Sequence, residues 1–144
     1  MPTLVDVGER IASWLYTRLS TDATLITLVG TREYRELAPQ GAAYPMITYF
    51  PQSDIATIGV SGQYIMSSQL WLVKITSQGE SYAPVRPISD RVLQVLQAAG
   101  QLAVNGAFVG KAVFQQTIPQ GSEYIGSVRH NYKNLQFKIE GHPL

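Results

Sequence analysis

The stretch LAPQGAAYPMITYF, residues 37–50, sets two prolines around a short Gly-Ala-Ala segment and then runs into Met46, Ile47, Thr48, Tyr49 and Phe50, a strand-forming composition. A residue that precedes proline is pushed out of the α region, which makes Ala38 and Tyr44 extended and sends the run from Met46 into a sheet in a fixed direction. Pro39 and Pro45 therefore set where this strand leaves whatever layer precedes it.

That preceding layer reads as helical. Val7, Ile11, Trp14, Leu15 and Leu19 fall at intervals of four, three, one and four, the spacing of one apolar helix face, which predicts an amphipathic helix over residues 4–20. Thr21 or Asp22 can cap a short second helix carrying Leu25, Ile26, Leu28 and Val29, ended by Gly30. A short strand over Thr31 to Glu36 then leads into the opening stretch.

Beyond Phe50, the segment Pro51 to Gly62 holds Gly59, Gly62 and several Ser and Thr residues and reads as a long hairpin loop. Gln63 to Ser77 is the longest strand signal. Its odd positions carry Ile65, Trp71, Val73 and Ile75 and its even positions Tyr64, Met66, Leu70 and Leu72, so both of its faces should be covered, one of them by helices. Ile88, Val92, Val95, Leu96 and Ala99 mark a third helix closed by Gly100, with Pro84 tolerable in a first turn and Pro87 forcing a late start or a bend. Ala107 to Thr117 and Asn131 to Glu140 alternate as strands, the latter with Leu135, Phe137 and Ile139 inward and Gln136, Lys138 and Glu140 outward. The order α, α, β, β, β, α, β, β predicts an α+β fold, a mostly antiparallel sheet with an N-terminal helical hairpin and one further helix packed on it.

Composition bounds the function. A chain of 144 residues is one domain's worth, residues 1–144, and can bury roughly two-thirds of its unfolded surface. Charged residues are 15% of the chain, below the roughly 25% of ordinary soluble domains, and a surface short of charge often has partners. A net charge of +1 is too balanced for a protein whose main task is to neutralise phosphates. The absence of cysteine excludes disulfides and thiolate metal sites and fits a reducing cytoplasm. MPTLVDVGER has no basic segment followed by an apolar run, and no stretch approaches 18 apolar residues, so neither secretion by that route nor a membrane span is expected.

No constellation of residues points to catalysis. His130 and His142 have no Asp, Glu or His at ligand spacing on a shared face and read as surface histidines. Glu33, Glu36, Asp54, Glu80, Asp90 and Glu123 are scattered across different elements and read as solvated carboxylates. GVSG at residues 59–62 lacks the strand-turn-helix setting of a nucleophile. SVRHNYKNL, residues 127–135, mixes Arg129, His130, Lys133 and Tyr132 in a way that suits single-stranded nucleic acid but reads better as a solvated strand edge. Trp14 and Trp71 sit on apolar stripes and read as core. No catalytic, cofactor or metal residue is assigned.

The helical hairpin, LITLVGTREYRELAPQGAAYPMITYF (residues 25–50), the long strand IMSSQLWLVKITSQ (residues 65–78) and the helix introduced by GESYAPVRPISDRVLQVL (residues 79–96) together resemble the tail-completion family of long-tailed bacteriophages, the tail-terminator or head-to-tail joining proteins. The resemblance spans residues 5–98 and is most specific at residues 37–50 and 70–98. Pro84 and Pro87 depart from it, standing where that family has an uninterrupted helix start. It implies a virion structural protein without enzyme activity or cofactor, located in the virion tail and assembled in the host cytoplasm. Six copies would form a ring on the tail tube, stop its polymerisation and meet a head-completion connector, with DNA only passing through the channel and no membrane contact. Ile55, Ile58, Val60, Tyr64 and Met66 are the expected interface residues: the first three because apolar side chains on a glycine-containing loop are costly unless a partner buries them, the last two as part of a strand apolar on both faces. Folding of Ile55 and Ile58 back onto the subunit's own sheet is the alternative. Other function classes are a head-completion connector or minor tail protein, and a small-ligand binding domain or hydrolase, which would need a deep pocket with convergent polar groups.

Overall fold

A computed structural model describes residues 7–58, 64–98, 102–104 and 107–143, and within them the side chains of residues 8–53, 68–98, 112–118 and 121–141. Helix α1 spans Val7–Thr21, with Ile11, Trp14, Leu15 and Leu19 fully buried on the predicted face. Asp22 caps α2 (Ala23–Val29), its carboxylate accepting the Leu25 N–H at 3.0 Å. Gly30 ends the helix at φ 63°, its N–H donating to the Ile26 carbonyl at 2.8 Å, a backbone conformation that a side chain would strain.

Strands β1 (Glu33–Arg35), β2 (Met46–Ile58) and β3 (Tyr64–Gln78) precede α3 (Val85–Ala98), and β4 (Leu102–Val104), β5 (Ala107–Ile125) and β6 (Val128–Pro143) follow it. They form one six-stranded sheet in the order β1-β2-β3-β6-β5-β4, antiparallel throughout except for the parallel β1–β2 pair. The α+β class, the antiparallel sheet and the N-terminal helical hairpin are as the sequence predicts.

Helix α1 lies against β5 and β6, and α3 against β3, β5 and β6. Strand alternation turns Ile47 and Tyr49 of β2, Trp71, Val73 and Ile75 of β3, and Leu135, Phe137 and Ile139 of β6 into one cluster with the buried faces of the three helices. Each such aliphatic or aromatic side chain contributes about 1.5–3 kcal/mol by leaving water. The opposite face, which the two-sided apolar pattern of β3 says must be covered, carries no packed helix among the described residues. Met46, Thr48 and Leu72 are nonetheless buried there, shielded by neighbouring side chains. The Lys74 ammonium sits 4.7 Å from the centre of the Tyr132 ring, and Gln52, Gln136 and Gln116 are joined by hydrogen bonds of 2.6 and 3.0 Å. Gly121 makes room for that ring, since a Cβ there would fall 2.6 Å from it.

Several boundaries differ from expectation. The segment Pro51 to Gly62, expected as a loop, is strand as far as Ile58. Pro51 still pairs in register with Trp71, and a register shift leaves Gln52 unpaired before Ser53. Before that shift the odd residues of β2 turn their backbone groups outward, as the bond from the Ile47 N–H to the Arg32 carbonyl shows, so Pro51 costs the β3 ladder nothing. Strand β5 continues past Thr117 to Ile125 by a further shift between Ile118 and Gly121, and β6 starts at Val128 rather than Asn131. Strand β4 is too short to show alternation in the sequence. Finally, α3 begins at Val85, placing Pro84 before it and Pro87 in its first turn, where an N–H has no intrahelical acceptor. Gly59, Val60, Gly62, Ala99 and Gly100 lie outside the described residues, as do the side chains of Val7, Asp54, Ile65 and His142.

Candidate interaction surfaces

The expected interface residues converge at one end of the β2–β3 hairpin. Ile58 pairs in register with Tyr64, Thr57 with Met66 and Ile55 with Ser68, so Ile55, Ile58, Tyr64 and Met66 share one short stretch of two-stranded ribbon. Their side chains, and Val60 altogether, lie outside the described residues. The outer edge of β2 is covered by β1 at Ile47, Thr48 and Tyr49, leaving the rest of a 13-residue strand without an outer neighbour among the described residues.

A second surface lies at the opposite end of the hairpin, on the helix-free face. A cleft of about 350 Å3 runs over Met46, Thr48, Phe50, Lys74 and Tyr132 between a lip at Leu37 and one at Ile125. Leu37 is held out by its backbone. Its N–H donates to the Arg35 carbonyl at 2.7 Å, closing a three-residue turn around Glu36 at φ 65°, a strained conformation for a non-glycine residue. Leu37 is 85% exposed, and Tyr124, Ile125 and Val128 on the β5–β6 hairpin are 63%, 60% and 41% exposed.

Asn131, fully buried, holds that hairpin to the connection before α3. Its Nδ2 donates to the Gly79 and Ser81 carbonyls at 2.8 and 3.2 Å, and its Oδ1 accepts from the Ser122 hydroxyl at 2.8 Å. The cations of residues 127–135 are engaged in the same way: Arg129 donates to the Glu80 carbonyl at 3.0 Å and Lys133 to the Ser89 hydroxyl at 3.3 Å. His130, expected at the surface, is 7% exposed, edge-on to the Tyr44 ring at 5.2 Å, with Nε2 3.2 Å from the Gln78 amide nitrogen. The solvated-edge reading is therefore corrected for β6, which lies between β3 and β5: His130 and Asn131 are buried and Arg129, Tyr132 and Lys133 half-buried, while Ser127 and Val128 at the turn stay exposed.

Glu33, expected as a solvated carboxylate, is also buried, and burial raises its carboxyl above the ordinary value. Burial pushes the Tyr49 phenol up to about 12. On the exposed side of β1, Arg35 holds Glu9 in a two-pronged pair of 2.7 and 2.8 Å and lowers its carboxyl. Arg91 of α3 does the same for Asp22, at 2.9 and 2.6 Å, tying the α2 cap to α3. Among the described residues no three His, Asp or Glu side chains are grouped to hold a metal ion. Leu37, Tyr124 and Ile125 were not legible as surface features. A strained turn leaves no signature in residue types, and Tyr124 and Ile125 look in sequence like ordinary strand residues, one on each face of the strand.

No family profile matches this chain, and no curated protein matches it. Among solved structures its fold is similar to a chain from the "Virion of native gene transfer agent (GTA) particle", with a TM-score of 0.71 and 16% identity, over 95% of this chain and 99% of that one. At that identity the similarity shows the fold.

Proposed function

We propose that this chain, as one domain over residues 1–144, is a virion structural protein of the tail terminator type. It caps the tail tube as a six-membered ring, stops tube polymerisation and meets a head-completion connector, with no catalytic step and no cofactor. The observation that carries the proposal is the end-to-end correspondence of fold, 95% of this chain on 99% of a chain from a virion particle, which adds to the resemblance over residues 5–98. A near-neutral chain also suits a channel through which DNA passes without being held. Ile55, Ile58, Val60, Tyr64 and Met66 are proposed to contact the neighbouring subunit or the tube.

Negative-stain imaging of particles from a null mutant tests this: tails of uncontrolled length are expected, whereas tails of normal length beside unjoined heads would favour a connector. Changing Ile55 and Ile58 together to Ser should leave the subunit's melting temperature unchanged while tails lose length control. A collapse of subunit stability with normal assembly would show instead that both side chains pack on their own sheet.

A further inference from the structure

The sheet has two long free edges, on opposite sides. Strand β1 covers β2 at Ile47, Thr48 and Tyr49, and β4 covers β5 at Ala107, Phe108 and Val109. Beyond these short stretches, residues 52–58 of β2 and residues 113–125 of β5 have no outer strand among the described residues. Unpaired edges are templates for another strand, and chains that stay single keep such edges short or covered.

We propose that copies of this chain join edge to edge, the outer edge of β2 in one copy pairing with the outer edge of β5 in the next, so that the sheet continues from subunit to subunit. The inference deepens the ring reading and rests on it for the presence of a second copy. Strand direction is the first argument. Strand β2 is antiparallel to β3, β3 to β6 and β6 to β5, so β2 and β5 run in opposite directions. A copy rotated about an axis along the strands therefore presents β5 antiparallel to β2, and the alternation crosses the junction unbroken. Pairing β2 with a second β2 would leave both β5 edges open. Pairing β2 with β5 uses one edge of each kind per copy, the head-to-tail arrangement that closes into a ring when the rotation allows. Register shifts supply curvature: β5 has three, at Gly110/Val113, Phe114/Gln116 and Ile118/Gly121, and each bends and twists the strand away from a flat ribbon.

The pairing positions follow from parity. Ile47 donates to Arg32, and Tyr49 accepts from Glu36, so odd residues of β2 face outward before the shift at Pro51/Ser53. After it, Ser53, Ile55 and Thr57 pair with Leu70, Ser68 and Met66, even residues of β3 like the Lys74 and Leu72 that face β2 before the shift. The outward donors are then Asp54 and Ala56.

Hydrogen exchange on the purified chain, as monomer and after association at high concentration, tests the assignment. The Asp54 and Ala56 amides should slow at least about tenfold on association, while the Ile55 amide, already bonded to β3, is protected in both. Ala56→Pro removes one outward donor and should keep the monomer's melting temperature while weakening association about tenfold or more. Ile55→Pro should instead lower the melting temperature. Association with Asp54 and Ala56 exchanging as in the monomer would overturn the proposal, as would normal assembly of Ala56→Pro or a chain that stays monomeric at every concentration and on tail ends. Edge-dependent oligomers of a protein absent from virions would sink the tail terminator function alone. One ring per tail formed without these amides would sink the edge pairing alone.

Discussion

Trp14 offers the sharpest test of the core. Its side chain is fully buried on the face of α1 that lies against β5 and β6. A tryptophan that leaves water completely buries roughly 150–250 Å2, which at about 25 cal/mol per Å2 is about 4–6 kcal/mol. The unfolded chain already shelters part of that surface, which brings the loss for Trp14→Ala to about 3–5 kcal/mol. A domain of this size has about 5–15 kcal/mol in all, so the variant should melt roughly 10–15 °C lower. The indole Nε1 is buried with no hydrogen-bond partner among the described residues, and Trp14→Phe removes that orphaned donor together with a few ring atoms. Its loss should stay below about 2 kcal/mol. Chemical denaturation followed by circular dichroism measures both. A Trp14→Ala variant within about 1 kcal/mol of wild type, with an unchanged dependence on denaturant, would refute the packing of α1 on the sheet.

Two predictions concern carboxylates. Burial raises the Glu33 carboxyl, so its folded value lies above its unfolded one. The stability this contributes is present below the unfolded value and is lost as pH rises through the folded value. Glu33→Gln should therefore melt above wild type at pH 8, with the difference fading toward pH 4, and equal melting at pH 8 would show that the carboxylate is solvated. Asp22 is the reverse case, lowered chiefly by its bonds from Arg91, so its contribution is present above the unfolded value and lost as pH falls through the lower folded one. Asp22→Ala should cost about 1–2 kcal/mol at pH 7 through the lost cap, and Asp22→Asn, which still caps, should show a flatter decline below about pH 4. An Asp22→Ala variant as stable as wild type would remove the cap from the account.

Local signals determined much of this protein without tertiary help. The four-three-one-four spacing of Val7, Ile11, Trp14, Leu15 and Leu19, the Asp22 cap, the Gly30 stop and the alternation of Leu135, Phe137 and Ile139 depend on neighbours along one element. A periodic pattern records which side faces a core whatever that core is. Tertiary structure decided the rest. Pro51 and Pro119 look like strand breakers, yet β2 and β5 run through them, because Pro51 turns its missing donor away from β3 and Pro119 falls in the register shift between Ile118 and Gly121, where no ladder pairing is required. Glu33 and His130 look like solvated side chains and are buried, since β1 docks on β2 and β6 falls between β3 and β5, pairings between residues far apart in the chain. The free edges of β2 and β5 arise in the same way. Which strands end at a sheet margin depends on strand order, and strand order is a property of the assembled sheet that no single strand's residue pattern encodes.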